Sequence, residues 1–217
     1  MFSPGRLLST AFLAACVYGL FFAVPPGLRA EGQFDASRLA AQEIDVWKAT
    51  RGHEEFGVYI ALVPMLREQY RYSWFRAGQA AYYLARAKTT FVDMRTRYER
   101  VLPDLEDAAT IERDWMAASF SPSAVARAEL DWWVTRRLPN LNGADQVAAL
   151  IAQDYALRYQ VPAGAMMDAA ARRAYAQDLA DQGGNDPNWA AVTKALTESY
   201  QALYRALNRS RSRAVPE

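Results

Sequence analysis

A chain of 217 residues, 52 % of them apolar, is long enough to bury a good core, and one domain is the default. Its formal net charge is +1; without Arg6 and Arg29 the remaining 23 basic residues (25 less two) face 24 acids, so no basic field exists to hold nucleic acid. The single cysteine, Cys16, leaves the rest of the chain without a disulfide, a catalytic thiolate or a Cys-based metal site.

The amino terminus speaks to location. After Arg6, residues 7–24 carry no charge, and Pro25-Pro26-Gly27 end the run. Eighteen helical residues span roughly 27 Å at about 1.5 Å each, near the lower limit for crossing a bilayer. The leading expectation is a retained signal-anchor over residues 1–30. A signal peptide cut at Ala30 is a second reading, although Leu28-Arg29-Ala30 is a poor cleavage site. A lipoprotein signal at Leu13-Ala14-Ala15-Cys16 is a third, although the run stays apolar after Cys16. All three export the remainder. The expected setting is a single-pass inner-membrane protein facing the periplasm, with the membrane engaged through residues 7–24 and a protein partner in the envelope. Arg6 and Arg29 flank the run evenly, so charge gives orientation little weight.

Beyond residue 30 the pattern predicts an all-α domain over residues 31–208, built as a bundle of six to seven helices, then a flexible tail over 209–217. Asp35 opens a helix that Gly52 ends, and a second runs from about Glu54 to Tyr70 with Pro64 inside it. Ser73 caps a long helix that meets no breaker before Pro103; its small face, Gly78, Ala81 and Ala85, invites close packing. A segment from Asp104 to about Phe120 follows. Ser121-Pro122 then open a helix to about Arg137, the loop at Pro139 leads to one from Ala144 to Tyr159, and Val161-Pro162 restart another that Gly183-Gly184 stop. Asp186-Pro187 precede the last helix. No sustained alternation of apolar and polar residues suggests a strand.

Charge pairs two neighbours. Residues 67–100 hold eight basic residues and three acids, net +5, and residues 101–131 hold two and seven, net −5, so a turn near Pro103 would fold one onto the other. The strongest constellation is Glu129-Leu-Asp-Trp132-Trp133-Val-Thr-Arg136. Glu129, Trp132, Trp133 and Arg136 stand at i, i+3, i+4 and i+7, on one helix face. A carboxylate and a guanidinium flanking two indoles need partners once buried. Arg67 and Glu68 are the candidate partners, and Arg136 could stack on Trp132. The same face exposed in a groove would instead be a binding site of Glu129, Trp132, Trp133, Arg136, Arg67 and Glu68.

Leu-Arg-Glu-Gln-Tyr at Leu66 to Tyr70, Ser73-Trp74, and Glu129-Leu-Asp-Trp132-Trp133 followed by Arg136-Arg137 resemble an uncharacterised family of membrane-anchored helical proteobacterial proteins. The resemblance spans most of the chain and implies the architecture alone, with no activity attached.

His53 is the only histidine, so neither a Ser-His-Asp arrangement nor a paired Glu-x-x-His di-metal site is assembled, and no phosphate loop or haem motif occurs. No catalytic residue, metal or cofactor is therefore expected. Three classes of function stay open: a scaffold or accessory subunit of an envelope complex, which leads; a carboxylate-dependent hydrolase using Glu129; and a carrier whose pocket is lined by Trp132 and Trp133. A cleft placing Glu129 about 5–10 Å from a second acid would mark the hydrolase. A cavity of several hundred cubic ångströms would mark the carrier.

Overall fold

The computed structural model describes residues 14–19, 21–22, 34–138 and 143–214. Residues 14–19 and 21–22 are helical, and most of the apolar run at 7–24 lies outside the described residues. No described helix is long and apolar enough to cross a membrane.

The body is all-helical, with no strand among the described residues. Eight α-helices follow residue 34: α1 (Ala36–Arg51), α2 (Glu55–Tyr70), α3 (Trp74–Asp93), α4 (Leu102–Met116), α5 (Pro122–Arg137), α6 (Ala144–Tyr159), α7 (Ala163–Gln182) and α8 (Trp189–Ala214). That is more than the six or seven expected. Starts follow the capping chemistry of the sequence. Asp35 accepts from the amides of Ser37 and Arg38, Ser73 from that of Arg76, and Ser121 from that of Ala124. At α8 it is Asn188, not Asp186, whose side chain accepts from the amide of Ala191.

Three helices end differently. α2, α4 and α6 each stop at a left-handed residue that is not glycine: Arg71, Ala117 and Gln160. In each, the cap amide returns to a carbonyl four residues back, which closes the last turn sharply.

The long helix expected from Ser73 to Leu102 is shorter. α3 stops at Asp93, Met94 is extended and Arg97 is left-handed. Arg137 of α5 donates to the carbonyls of Phe91, Val92 and Met94, and Arg95 also reaches Val92 and Met94. Arginines thus occupy the carbonyls that further turns of α3 would need. The last helix is longer than expected. It runs to Ala214 with Ser210 and Ser212 bonded back to the carbonyls of Ala206 and Asn208, so the described part of the supposed tail is helical.

Each helix packs on the next, and α8 returns to pack on α1, so the eight form a closed ring. Small buried residues allow the close approach, notably Ala77, Ala80, Ala81, Ala85 and Ala87 on α3 and Ala169, Ala170, Ala174, Ala176 and Ala180 on α7. α3 and α4 lie side by side as the opposite charges suggest, but Arg86–Asp104, at 3.4 Å, is the one ion pair between these two helices among the described residues. The small face of α3 is uneven. Ala81 is fully buried, whereas a side chain on Gly78 would meet only the Tyr59 hydroxyl, at 3.2 Å. Ala81→Leu should therefore cost about 1–3 kcal/mol by overpacking. Gly78→Ala should be neutral or mildly stabilising, because alanine favours a helix by up to about 1 kcal/mol. Chemical denaturation of the two variants checks the order.

Candidate ligand-binding site

The ring has a polar interior. A small internal space of about 90 Å³ is lined from every helix of the ring, from Glu43 on α1 to Tyr200 on α8. Two arginines organise it. Arg158, on α6, holds three acids: Nε donates to Asp154 at 2.9 Å, Nη1 to Glu112 at 2.5 Å, and Nη2 to Glu129. Arg173, on α7, holds Glu43 through both terminal nitrogens; Glu43 also accepts from the Tyr200 hydroxyl at 2.5 Å and from Trp47 Nε1 at 3.2 Å. Both clusters are placed by helical spacing. Arg158 sits one turn after Asp154, and Glu43 one turn after Leu39 and one before Trp47.

The two clusters titrate in opposite senses. Burial pushes Asp154 up to about 7 from an ordinary 3.8, against the pull of Arg158. Glu112 is also raised by burial, with Arg158 opposing. Burial acts the same way on Glu43, but the Arg173 charge and the bonds from Arg173 and Tyr200 outweigh it and hold the carboxyl below its usual value. Arg158 is shared among three carboxylates, whereas Arg173 serves one.

This fixes a pH dependence. The raised Asp154 favours the folded state when protonated, so its contribution is full below about 4 and is lost as pH rises through about 7. Glu43, being lowered, contributes above its usual range and loses that contribution as pH falls through its folded value. Asp154→Asn should flatten the decline in stability between pH 5 and pH 8, by a few kcal/mol at most. Denaturation midpoints measured across that range would show it; an unchanged slope would mean that Asp154 titrates normally.

A larger pocket of about 350 Å³ lies beside this interior, among the carboxyl-terminal halves of α1, α3, α5 and α7. Lys88, Trp132 and Arg173 line both spaces. Trp47, Phe91, Trp132 and Trp133 supply aromatic surface. Trp133 meets Phe91 edge to face at 5.1 Å and Trp132 at 6.0 Å. The interior holds three cations (Lys88, Arg158, Arg173) and four acids (Glu43, Glu112, Glu129, Asp154), which balance when Asp154 is protonated. The mouth adds Arg51, Arg136 and Arg137 against Asp181 alone, a surplus of two positive charges.

Most of these cations are already engaged. Arg136 grips Asp181 in a bidentate pair at 2.8 and 3.0 Å, Arg51 donates to Ala180 and Gly184 carbonyls, and Arg137 caps α3. Lys88 differs. Its ammonium lies 4.6 Å from the centre of the Trp133 ring, with no carboxylate within 4 Å among the described residues. Burial lowers its pKa, while the more distant Glu129 and Glu43 oppose that shift. Two further polar atoms lack protein partners: the indole N–H of Trp132 and the side-chain oxygen of Gln177, on residues 7 % and 1 % exposed. Lys88, Trp132 and Gln177 all line the same aromatic pocket.

Of the residues singled out in the sequence, Trp132, Trp133 and Arg136 line the mouth and Glu129 lines the interior. Arg67 and Glu68 line neither. Arg67 stacks on Trp74 at 3.9 Å and donates to the Tyr72 carbonyl; Glu68 accepts from the Asp35 amide and faces Arg38 at 3.6 Å. The expected pairing of Glu129 or Arg136 with them is replaced by Glu129–Arg158 and Arg136–Asp181. The cations placed over the two indoles are Arg173 at Trp132 and Lys88 at Trp133, not Arg136. Sequence reasoning missed Glu43, Lys88, Arg158 and Arg173. The signal was there: each is a charge set within the buried stripe of its helix, Lys88 for instance three residues after Ala85 and three before Phe91.

His53 and Asp93 form an exposed contact at 2.8 Å, away from this site, and no cluster of potential metal ligands occurs among the described residues. Comparison with known protein families, with curated proteins and with solved structures finds no match.

Proposed function

We propose that this chain is a membrane-tethered helical protein of the bacterial envelope that binds a small organic anion with a flat, apolar body. The observation that carries the reading is the 350 Å³ aromatic pocket lined by Lys88, whose ammonium faces no carboxylate, and by Trp132, whose indole N–H has no protein partner. Such a volume lies at the low end for small-molecule sites. The indole faces of Trp132 and Trp133 receive the apolar body, and the surplus positive charge draws in the anion. Lys88 and the Trp132 N–H then bond the carboxylate, phosphate or sulfonate group, which gains strength from burial.

The pocket favours this carrier-like reading over a bare scaffold, which needs no cavity. The hydrolase reading is less favoured, because Glu112, Glu129 and Asp154 are gathered on one arginine beside a space of only about 90 Å³. The tether through residues 7–24 and a protein partner in the envelope complete the proposal, and they rest on the apolar run alone.

Calorimetric titration of the purified chain with aromatic carboxylates and their matched amides tests the site. Carboxylates should bind and the amides should not. Lys88→Met should weaken carboxylate binding at least tenfold, about 1.4 kcal/mol, without lowering the melting temperature. Equal affinity for carboxylate and amide would overturn the reading.

A further inference from the structure

The hairpin of α2 and α3 carries an apolar face that no helix of the ring covers. Phe56 and Ile60 stand one turn apart on α2, and Trp74, Phe75 and Tyr82 stand beside them on α3; all five are exposed, Phe56 by 76 %. Tyr59, Val63, Gly78 and Tyr83 floor the groove between them. Among the described residues, twelve large apolar side chains are exposed. Nine belong to this face or to the helical residues near the amino terminus, and only Leu138, Met167 and Tyr175 do not. A patch of this extent on a soluble surface marks an interaction site.

The amino-terminal segment meets the same face. Phe22 lies 5.2 Å from Phe75, and Phe21 lines the groove. Yet the segment does not cover it. With Phe21 and Phe22 in place, both remain about half exposed, and so do Ile60 and Trp74. Phe21 and Phe22 thus continue the apolar surface of the α2/α3 face. Its makeup of phenylalanine with tyrosine and tryptophan is that of the headgroup region of a bilayer. Arg76 is exposed at one end, and Arg67 stacks on Trp74 there, within reach of lipid phosphates.

We propose that the α2/α3 face lies in the bilayer interface, so that the domain rests on the membrane beside its own tether. This rests on the tethered reading above. Phe56, Ile60 and Phe75 enter the headgroup boundary, as one face of an interfacial helix does. The domain is thereby held in one orientation instead of swinging on a linker.

The test uses the full chain with Cys16→Ser, reconstituted in phosphatidylcholine and phosphatidylglycerol vesicles. Nitroxide labels are placed through Ile60→Cys, Phe56→Cys or, as an exposed control on α8, Lys194→Cys. Each position's accessibility to oxygen and to a water-soluble nickel chelate is measured by spin relaxation. Labels at 60 and 56 should favour oxygen over nickel several-fold more than the label at 194. A nickel-accessible label at 60, on a chain that withstands an alkaline wash of the vesicles, would overturn the interface while leaving the tether intact. A label shielded from both reagents would mean that a protein surface covers the face, whether the amino-terminal segment or a second copy, and would also overturn the proposal. A chain removed by the wash would overturn the tether and the interface with it.

Discussion

Arg158→Met should cost about 3–5 kcal/mol at pH 8, because it leaves Glu112, Glu129 and Asp154 buried together without their cation. That is a large share of the roughly 5–15 kcal/mol available to a domain, and corresponds to a fall of roughly 6–20 °C in melting temperature. The effect should shrink at pH 5. Asp154 and Glu112 are already raised by burial even with Arg158 present, so without it they take up protons more readily and the repulsion among the three acids falls. Arg158→Lys should fall between: it restores the charge but not the three-way fork that reaches Asp154, Glu112 and Glu129 from separate nitrogens. Guanidinium denaturation at the two pH values measures all of this. A variant as stable as the wild type at pH 8 would show that water reaches these acids.

Arg173→Met should be comparably damaging, about 3–5 kcal/mol at pH 8, and its cost too should shrink as pH falls. Arg173 holds a single acid, and Glu43 is kept ionised by it, with Tyr200 and Trp47 completing its bonds. Removing the guanidinium reverses the Glu43 shift. The carboxyl rises above its ordinary value, so the variant recovers stability as pH falls toward 5, whereas the wild type keeps the Glu43 contribution until pH falls below the ordinary carboxyl range. The double change Glu43→Leu with Arg173→Met should cost less than Arg173→Met alone, since an apolar pair of similar size can replace a buried ion pair. Additive losses in the double variant would show that Arg173 acts through packing against Trp132, not through Glu43.

The elements were legible in the sequence wherever their signals are local. Asp35, Ser73 and Ser121-Pro122 start helices because their side chains and ring act within one turn. The end of α3 was not legible, because the residue that takes its carbonyls, Arg137, comes from another helix more than forty residues on. Closure of the ring by α8 against α1 joins the two ends of the domain and leaves no trace in periodicity. The site follows the same rule. Glu129, Trp132, Trp133 and Arg136 share one face and could be found from spacing alone. Their partners Arg158, Lys88, Arg173 and Asp181 could not be matched to them, since spacing along one helix says nothing of which helix comes next in space. The neighbour that charge did pick out, α4 for α3, contributes one ion pair to that contact, while its Glu112 turns inward to Arg158.

The proposed organic-anion site at the end of the ring has Trp132 and Lys88 as its polar contacts. The indole N–H resonance of Trp132 reads this directly, because that donor has no protein partner. In a nitrogen-15 spectrum of the full chain in detergent, assigned through Trp132→Phe, the resonance should move downfield and saturate as an aromatic carboxylate is added. The Trp133 indole should shift with it, and both changes should vanish in Lys88→Met. A Trp132 resonance that stays in place across a panel of aromatic carboxylates, phosphates and sulfonates, or that moves equally for the matched amides, would contradict the account.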